Sequence, residues 1–295
     1  MTDGLAGIRR MARTAGGWIR RVKRSLGYYR LRVHLRRPGF SRALRPSDTF
    51  LVGHPKSGNT WIAYMIAALR QPAGADVTLA NVGRYVPFVH GHDHRIARYD
   101  HLPDPRLFRN EYPRYADLYP RTIYLMRDPR SVMPSLWHMY RTMSGDERLP
   151  IESFVDQYLA ANGVFRYWNS DLVRWDRQVG AAIATAATDP RILLCRYEDF
   201  IADRRGSLER AVRFLGVTPD EAALDRTAEL GDFNAMRRLE SRHGAEAYRG
   251  RASGRGYFVR KGQPAGWAAE LTPSLVARLE AALGSVMDLA GYSRT

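Results

Sequence analysis

Residues 50–61 read FLVGHPKSGNTW. The segment Thr49–Gly53, TFLVG, is a short apolar run bounded by turn residues, and it reads as a buried strand. From Asn59 onward, NTWIAYMIAALR carries Trp61, Ile62, Met65, Ile66 and Leu69 at helical spacing, with Asn59 as the expected N-cap. A strand feeding a helix through a turn with glycines, a lysine and hydroxyls suits an anion. The unpaired N–H groups of a helix start point at the ligand, and glycine lets the backbone approach it. The spacing is unusual. Gly53 and Gly58 match the glycines of the G-x-x-x-x-G-K-[ST] phosphate loop, but Asn59 stands at the lysine position and Lys56 comes earlier. A plain strand-to-helix connection is the alternative reading.

Working outward, residues 121–127 (RTIYLMR) read as a second strand, leading through DPR into a helix that tolerates Pro134. Residues 191–200 (RILLCRYEDF) read as a third strand, followed by the helical pattern GSLERAVRFLG. Residues 151–162 and 167–187 are amphipathic helical stretches, and a C-terminal helix has Pro273 in its first turn. Strands repeatedly followed by helices predict an α/β fold with a central parallel β-sheet flanked by helices on both faces. Residues 239–266, rich in Gly, Arg and Ser, read as a long loop of the kind that serves as a lid.

The 295 residues are 45% hydrophobic and 26% charged, which excludes a disordered chain. The single cysteine, Cys195, excludes an intramolecular disulfide and reads as a small core residue of its strand. No apolar run reaches the roughly 18 residues of a membrane span, and no apolar leader is visible. A cytoplasmic location is therefore the expectation.

The net charge of +16 is concentrated in residues 1–45, an arm with one acid, Asp3. Its stretch GGWIRRVKRSLGYYRLRVHL interleaves Trp18, Ile19, Val22, Leu26, Tyr28 and Tyr29 with cations. Such an arm is either solvated or lies on an anionic membrane surface at the inner face, and it does not by itself indicate nucleic acid. The domain proper is expected over residues 46–295.

In an open parallel sheet, ligands bind beyond the carboxyl ends of the strands. There the chain offers Arg127, with Ser135 eight residues on, and the cluster Arg260, Lys261 and Gly262 in YFVRKGQPAGW. Arginine at a strand end suits bidentate phosphate contact.

These pieces, in this order, resemble the sulfotransferases that use 3′-phosphoadenylyl sulfate (PAPS). HPKSGNTW is similar to that family's PKSGTTW loop for the 5′-phosphosulfate, which implies donor contacts for Pro55, Lys56, Ser57, Gly58, Asn59, Thr60 and Trp61. YLMRDPRSVMPSLWHMYR resembles the 3′-phosphate segment, with Arg127 and Ser135 as its ligands. CRYEDF resembles the family's tyrosine-glutamate-aspartate segment, which implies Tyr197 near the nucleotide; GDFNAM is similar to the stretch that would lay Phe233 on the adenine opposite Trp61; and RKGQPAGW resembles RKGxxGDW. That last segment implies 3′-phosphate contacts for Arg260, Lys261 and Gly262, although Ala265 and Gly266 depart from its pattern.

The resemblance spans residues 49–267 and implies a P-loop NTPase-like sulfotransferase fold, PAPS as co-substrate, and no metal. The acceptor is expected to be the hydroxyl or amine of a small molecule or glycan. Lys56 would neutralise the bridging oxygen of the leaving phosphate. YDHLPDPRLF resembles KTHLP, whose histidine is the general base, so His101 is the expected base, with Tyr99 and Asp100 in place of the lysine and threonine. His90, His92 and His94 are rivals; their spacing also suits a metal, but no completing carboxylate or thiol cluster accompanies them. Two other readings stand beside this one. One is a P-loop kinase of a nucleotide or small molecule, weakened by Asn59. The other is a non-catalytic basic protein docking through residues 1–45.

Overall fold

The computed structural model describes residues 38–89, 93–113, 115–161, 164–167, 170–245, 259–260, 262 and 265–295. Most of the arm, residues 1–37, lies outside them, as do His90, His92 and Lys261, and nothing is described of the His94 side chain.

In chain order, β1 (Thr49–Gly53) leads into α1 (Asn59–Leu69), and β2 (Leu107–Asn110) precedes β3 (Arg121–Met126). Next come α2 (Pro129–Ser144), α3 (Ile151–Ala160), the strands β4 (Val164–Tyr167) and β5 (Ser170–Val173), and α4 (Trp175–Ala186). β6 (Ile192–Arg196), α5 (Tyr197–Ala202), α6 (Arg204–Phe214), α7 (Glu221–Leu230), α8 (Phe233–His243) and α9 (Pro273–Leu289) complete the order.

The sheet runs β2-β1-β3-β6 with every pairing parallel, as the strand-helix alternation predicts. The two-residue period of a strand sorts its side chains into two cores. Phe50, Val52, Tyr124 and Met126 face a layer that includes α2, α3, α4 and α9. Leu51, Ile123, Leu125 and Cys195 face the other, built from α1, α5, α6 and α7. Helices thus cover both faces.

Five details differ from the sequence reading, the first being that the third strand stops at Arg196 and Tyr197–Ala202 is already helical. β2 is an additional strand, hidden because LFRN carries an arginine and an asparagine where a buried strand is expected to be apolar. The helical reading from residue 167 starts too early: Val164–Tyr167 and Ser170–Val173 form an antiparallel pair, and α4 starts only at Trp175. Phe165 and Leu172 are cross-strand partners and both are buried in the same core, so a period of two wins over the helical one. The N-cap of α1 is Gly58, not Asn59. Residues 239–243 continue α8, which ends at Gly244 (φ 71°), so the glycine that suggested a loop closes a helix.

At the amino edge of the sheet Arg106 and Asp48 form a fully buried pair, Nε to Oδ1 2.8 Å and Nη2 to Oδ2 2.6 Å. Arg106 also donates to Asp100 Oδ1 (2.6 Å) and to the Ala43 carbonyl (2.8 Å), clamping the entries of β1 and β2 together. Removing one partner strands a charge in the interior. Asp48→Ala is therefore expected to cost about 3 kcal/mol, read as a lower urea midpoint, and an unchanged midpoint would show that water reaches Arg106.

Candidate active site

The carboxyl ends of the four strands open on a cavity of about 540 Å³, a size typical of small-molecule sites. Its floor is the turn after β1. Ser57 N donates to the His54 carbonyl (3.1 Å), Lys56 takes a left-handed φ of 73°, and Gly58 a φ of 103°. A side chain at position 58 would need that conformation and would put its Cβ 2.7 Å from the Tyr197 ring. Glycine is therefore required there. Behind the turn, His54 is fully buried and its pKa is lowered to about 4, because burial disfavours the charged ring. Its Nε2 lies 3.4 Å from Tyr158 Oη, so it braces the loop from below.

The expected donor contacts fall into three groups. Lys56, Gly58, Asn59, Thr60 and Trp61 line the cavity, whereas Pro55 and Ser57 are buried and do not line it. Arg127 and Tyr197 line it from the exits of β3 and β6, and Ser135 from α2. Phe233, Arg260 and Gly262 close the far wall, with Gly262 packed on the Phe233 ring. Trp61 is fixed by donation from Nε1 to the Gly231 carbonyl (3.0 Å) and lies 5.2 Å from the Tyr197 ring.

The structure does not bring His101 to this cavity. It is exposed, in the turn before β2, where Arg45 holds the flanking carbonyls of Asp100 and Leu102. That is the amino edge of the sheet. Four residues at about 3.3 Å each separate it from the carboxyl edge where the cavity opens. The residue at the correct end of β2 is Glu111, which lines the cavity with Arg109. Arg109 lies in β2 and Glu111 one residue past its end, and both line the cavity. The sequence signal was the pair R-x-E leaving an apolar run.

The turn carrying Arg127 is braced from several sides. Arg127 Nη1 donates to the Lys56 carbonyl (3.0 Å), its guanidinium lies 4.1 Å from the Tyr197 ring centre, and Trp175 Nε1 donates to its carbonyl (3.1 Å). Asp128 caps α2 through Arg130 N (2.8 Å), and its own N–H donates to Glu198 Oε1 (3.1 Å). Glu198 also accepts from Tyr292 Oη (3.0 Å). Arg130 reaches Asp128 Oδ2 (2.7 Å), Glu280 Oε1 (2.7 Å) and the Ser293 carbonyl (2.9 Å), so the end of the chain packs onto the turn. Arg260 Nη1 lies 2.7 Å from both oxygens of Glu270, which also meets His138 Nε2 at 2.8 Å.

Burial and charge tune two groups. Lys56 Nζ lies 3.5 Å from Met139 Sδ, and its pKa is lowered to about 8 by burial, with Glu111 opposing the shift and Arg127 and Arg260 adding to it. Burial raises the Glu111 pKa, moderated by a hydrogen bond from Asn59 and by the charges of Lys56 and Arg109. The cavity therefore sets a carboxylate beside a cation.

A family profile described as "Sulfotransferase domain" matches residues 46–291. Cytosolic sulfotransferase 17 of Arabidopsis thaliana is 27% identical over 264 residues, covering 80% of this chain and 73% of the relative. Amine sulfotransferase of Oryctolagus cuniculus is 25% identical over 244 residues, covering 78% and 77%. Among solved structures, retinol dehydratase in complex with androsterone and inactive cofactor PAP superposes with a TM-score of 0.65 at 20% identity, covering 83% of this chain and 81% of that one. A mouse sulfotransferase complexed with PAP gives 0.60 at 21% identity, covering 83% and 84%. At those identities the superpositions establish the fold, and the profile match over most of the chain establishes more: this protein belongs to the sulfotransferase domain family.

Proposed function

We propose that this protein transfers a sulfuryl group from PAPS to the hydroxyl or amine of an acceptor. The observation that carries the reading is the convergence of Lys56, Arg127 and the start of α1 on one cavity with the carboxylate of Glu111. The polar inventory of the site fits an anionic nucleotide. Arg127, which lines the cavity, has its Nε buried with no hydrogen-bond partner among the described residues, and an orphaned buried polar atom is costly unless a ligand takes it up. The N–H groups of the first turn of α1 lack helical acceptors, as at any helix start.

In this reading the α1 start and Lys56 hold the 5′-phosphosulfate. Arg127, Ser135, Arg260 and Gly262, with Lys261, take the 3′-phosphate, and Trp61, Tyr197 and Phe233 bracket the adenine. The donor supplies the activated sulfuryl group. The protein contributes position and charge, as in phosphoryl transfer. Glu111 accepts the proton of the acceptor hydroxyl while the new O–S bond forms. The electron pair of the breaking S–O bond goes to the leaving phosphate, beside the Lys56 ammonium. Phe88, Met139 and Met143 add apolar surface to the same cavity, which supports an acceptor with an apolar body. The related retinol dehydratase binds androsterone.

Thermal shift separates this from nucleotide kinase chemistry. Adenosine 3′,5′-bisphosphate at a hundred times its Kd is expected to stabilise the protein by about 2.7 kcal/mol, and ATP with magnesium by much less. Stabilisation by ATP alone, or no sulfate transfer from labelled PAPS to any acceptor in a cell extract, would count against the proposal.

A further inference from the structure

Asn59 has a task that its position in the loop does not require. It is the first residue of α1, only 4% exposed, and its side chain runs beneath the turn toward the ends of β1 and β2. Its Nδ2 donates to the Gly53 carbonyl (3.3 Å) and to Glu111 Oε1 (3.4 Å). Both partners are acceptors, which fixes the orientation of the amide. The other end, Oδ1, is buried with no hydrogen-bond partner among the described residues.

Gly53 makes the room for it. A Cβ at position 53 would lie 2.6 Å from Asn59 Oδ1 and 2.6 Å from the Leu125 carbonyl. A buried carboxamide left half unsatisfied is a poor choice for stability, since an orphaned acceptor loses its hydration. The similar loop PKSGTTW has threonine here, a shorter side chain that cannot bridge β1 and β2. The backbone of Glu111 is held as well, since Gln178 Nε2 donates to its carbonyl (3.1 Å) and Asn110 Oδ1 accepts from Tyr112 N (2.9 Å). The carboxylate is thus the remaining free part, and Asn59 is its hydrogen-bonding partner from α1.

We infer that Asn59 is a positioning residue that aims the Glu111 carboxylate into the cavity, with Gly53 kept free of a side chain so that the carboxamide can reach it. The inference rests on the reading of Glu111 as the base. Besides Asn59, the groups facing that carboxylate are Lys56 from the loop, Arg109 from β2 and the neighbouring Tyr112.

The test is a pair of variants, Asn59→Thr and Asn59→Asp, with Glu111→Gln as reference. Threonine fits the loop, and aspartate keeps the shape of asparagine, so both are expected to fold, with melting checked alongside. Asn59→Thr should lower kcat roughly tenfold to a hundredfold through misaiming of the base, with the donor KM within about twofold. The acid limb of its kcat/KM profile should move to higher pH, because a hydrogen bond to the ionised form is gone. Asn59→Asp should move that limb further, two carboxyls then sharing one site. If either variant raises donor KM while the acid limb stays in place, Asn59 is a donor contact and the inference is overturned. If Glu111→Gln itself keeps turnover, the base assignment fails first and takes the inference with it.

Discussion

Lys56→Ala is expected to lower kcat by about a thousandfold, the upper range for removing one preorganised charge from a developing oxyanion. The cation sits half-buried at the floor of the cavity, in a left-handed backbone conformation that only the surrounding turn enforces. Such strain at a non-glycine residue is costly and is found where a side chain must be aimed. Its proton is also held less firmly than in water. Burial, Arg127 and Arg260 disfavour the charge and bring the pKa down to about 8. The charged form is therefore present below that pH and is lost above it, so kcat/KM, which reports the free enzyme, should fall on the alkaline side of about pH 8. Lys56→Arg keeps its charge throughout and should retain part of the activity with that alkaline limb abolished. Full turnover by Lys56→Ala, or an alkaline limb that persists in Lys56→Arg, would remove Lys56 from the chemistry.

Glu111→Gln should lower kcat by about a hundredfold to ten-thousandfold, the range for losing a positioned general base. Glutamine keeps the size and can still meet the neighbouring polar groups, so folding is not the variable being read. Burial raises the Glu111 pKa, and the carboxylate must be ionised to accept a proton. The wild-type acid limb should consequently lie above the ordinary carboxylate range, and activity should rise as pH rises through it. His101→Ala, on the opposite edge of the sheet, should leave both kcat and the profile unchanged. The reverse pattern, with His101→Ala inactive and Glu111→Gln unaffected, would restore the histidine and remove the role given to β2.

Those two residues show what the sequence could and could not carry. Lys56 and Arg127 were legible because each sits in a turn directly after an apolar run, where the local chain alone decides which end of the sheet it joins. β1, β3 and β6 were legible for the same reason, their inner residues being almost wholly apolar. β2 was not, since two of its four residues spend their side chains on other work. Arg109 donates to the Val86 carbonyl (3.0 Å) and to Thr60 Oγ1 (3.1 Å), and Asn110 donates to Tyr119 Oη (2.9 Å). With that strand unseen, the HLP wording drew the base to His101. A short match cannot report which edge of a sheet it faces. The pairing of β4 with β5 was missed because the helical pattern was carried back to residue 167, whereas the contact of Phe165 and Leu172 with one core, invisible to local spacing, sets a strand pair there.

The bracing of the Arg127 turn by Glu280, Tyr292 and Ser293 has a consequence for biosynthesis. The earliest-made motif, around Lys56, waits more than 200 residues for the segment that steadies its partner arginine. A nascent chain that has not yet reached Glu280 already holds the four strands β1, β2, β3 and β6 but lacks the contacts that steady Arg127, so the turn is set only after the sheet is complete.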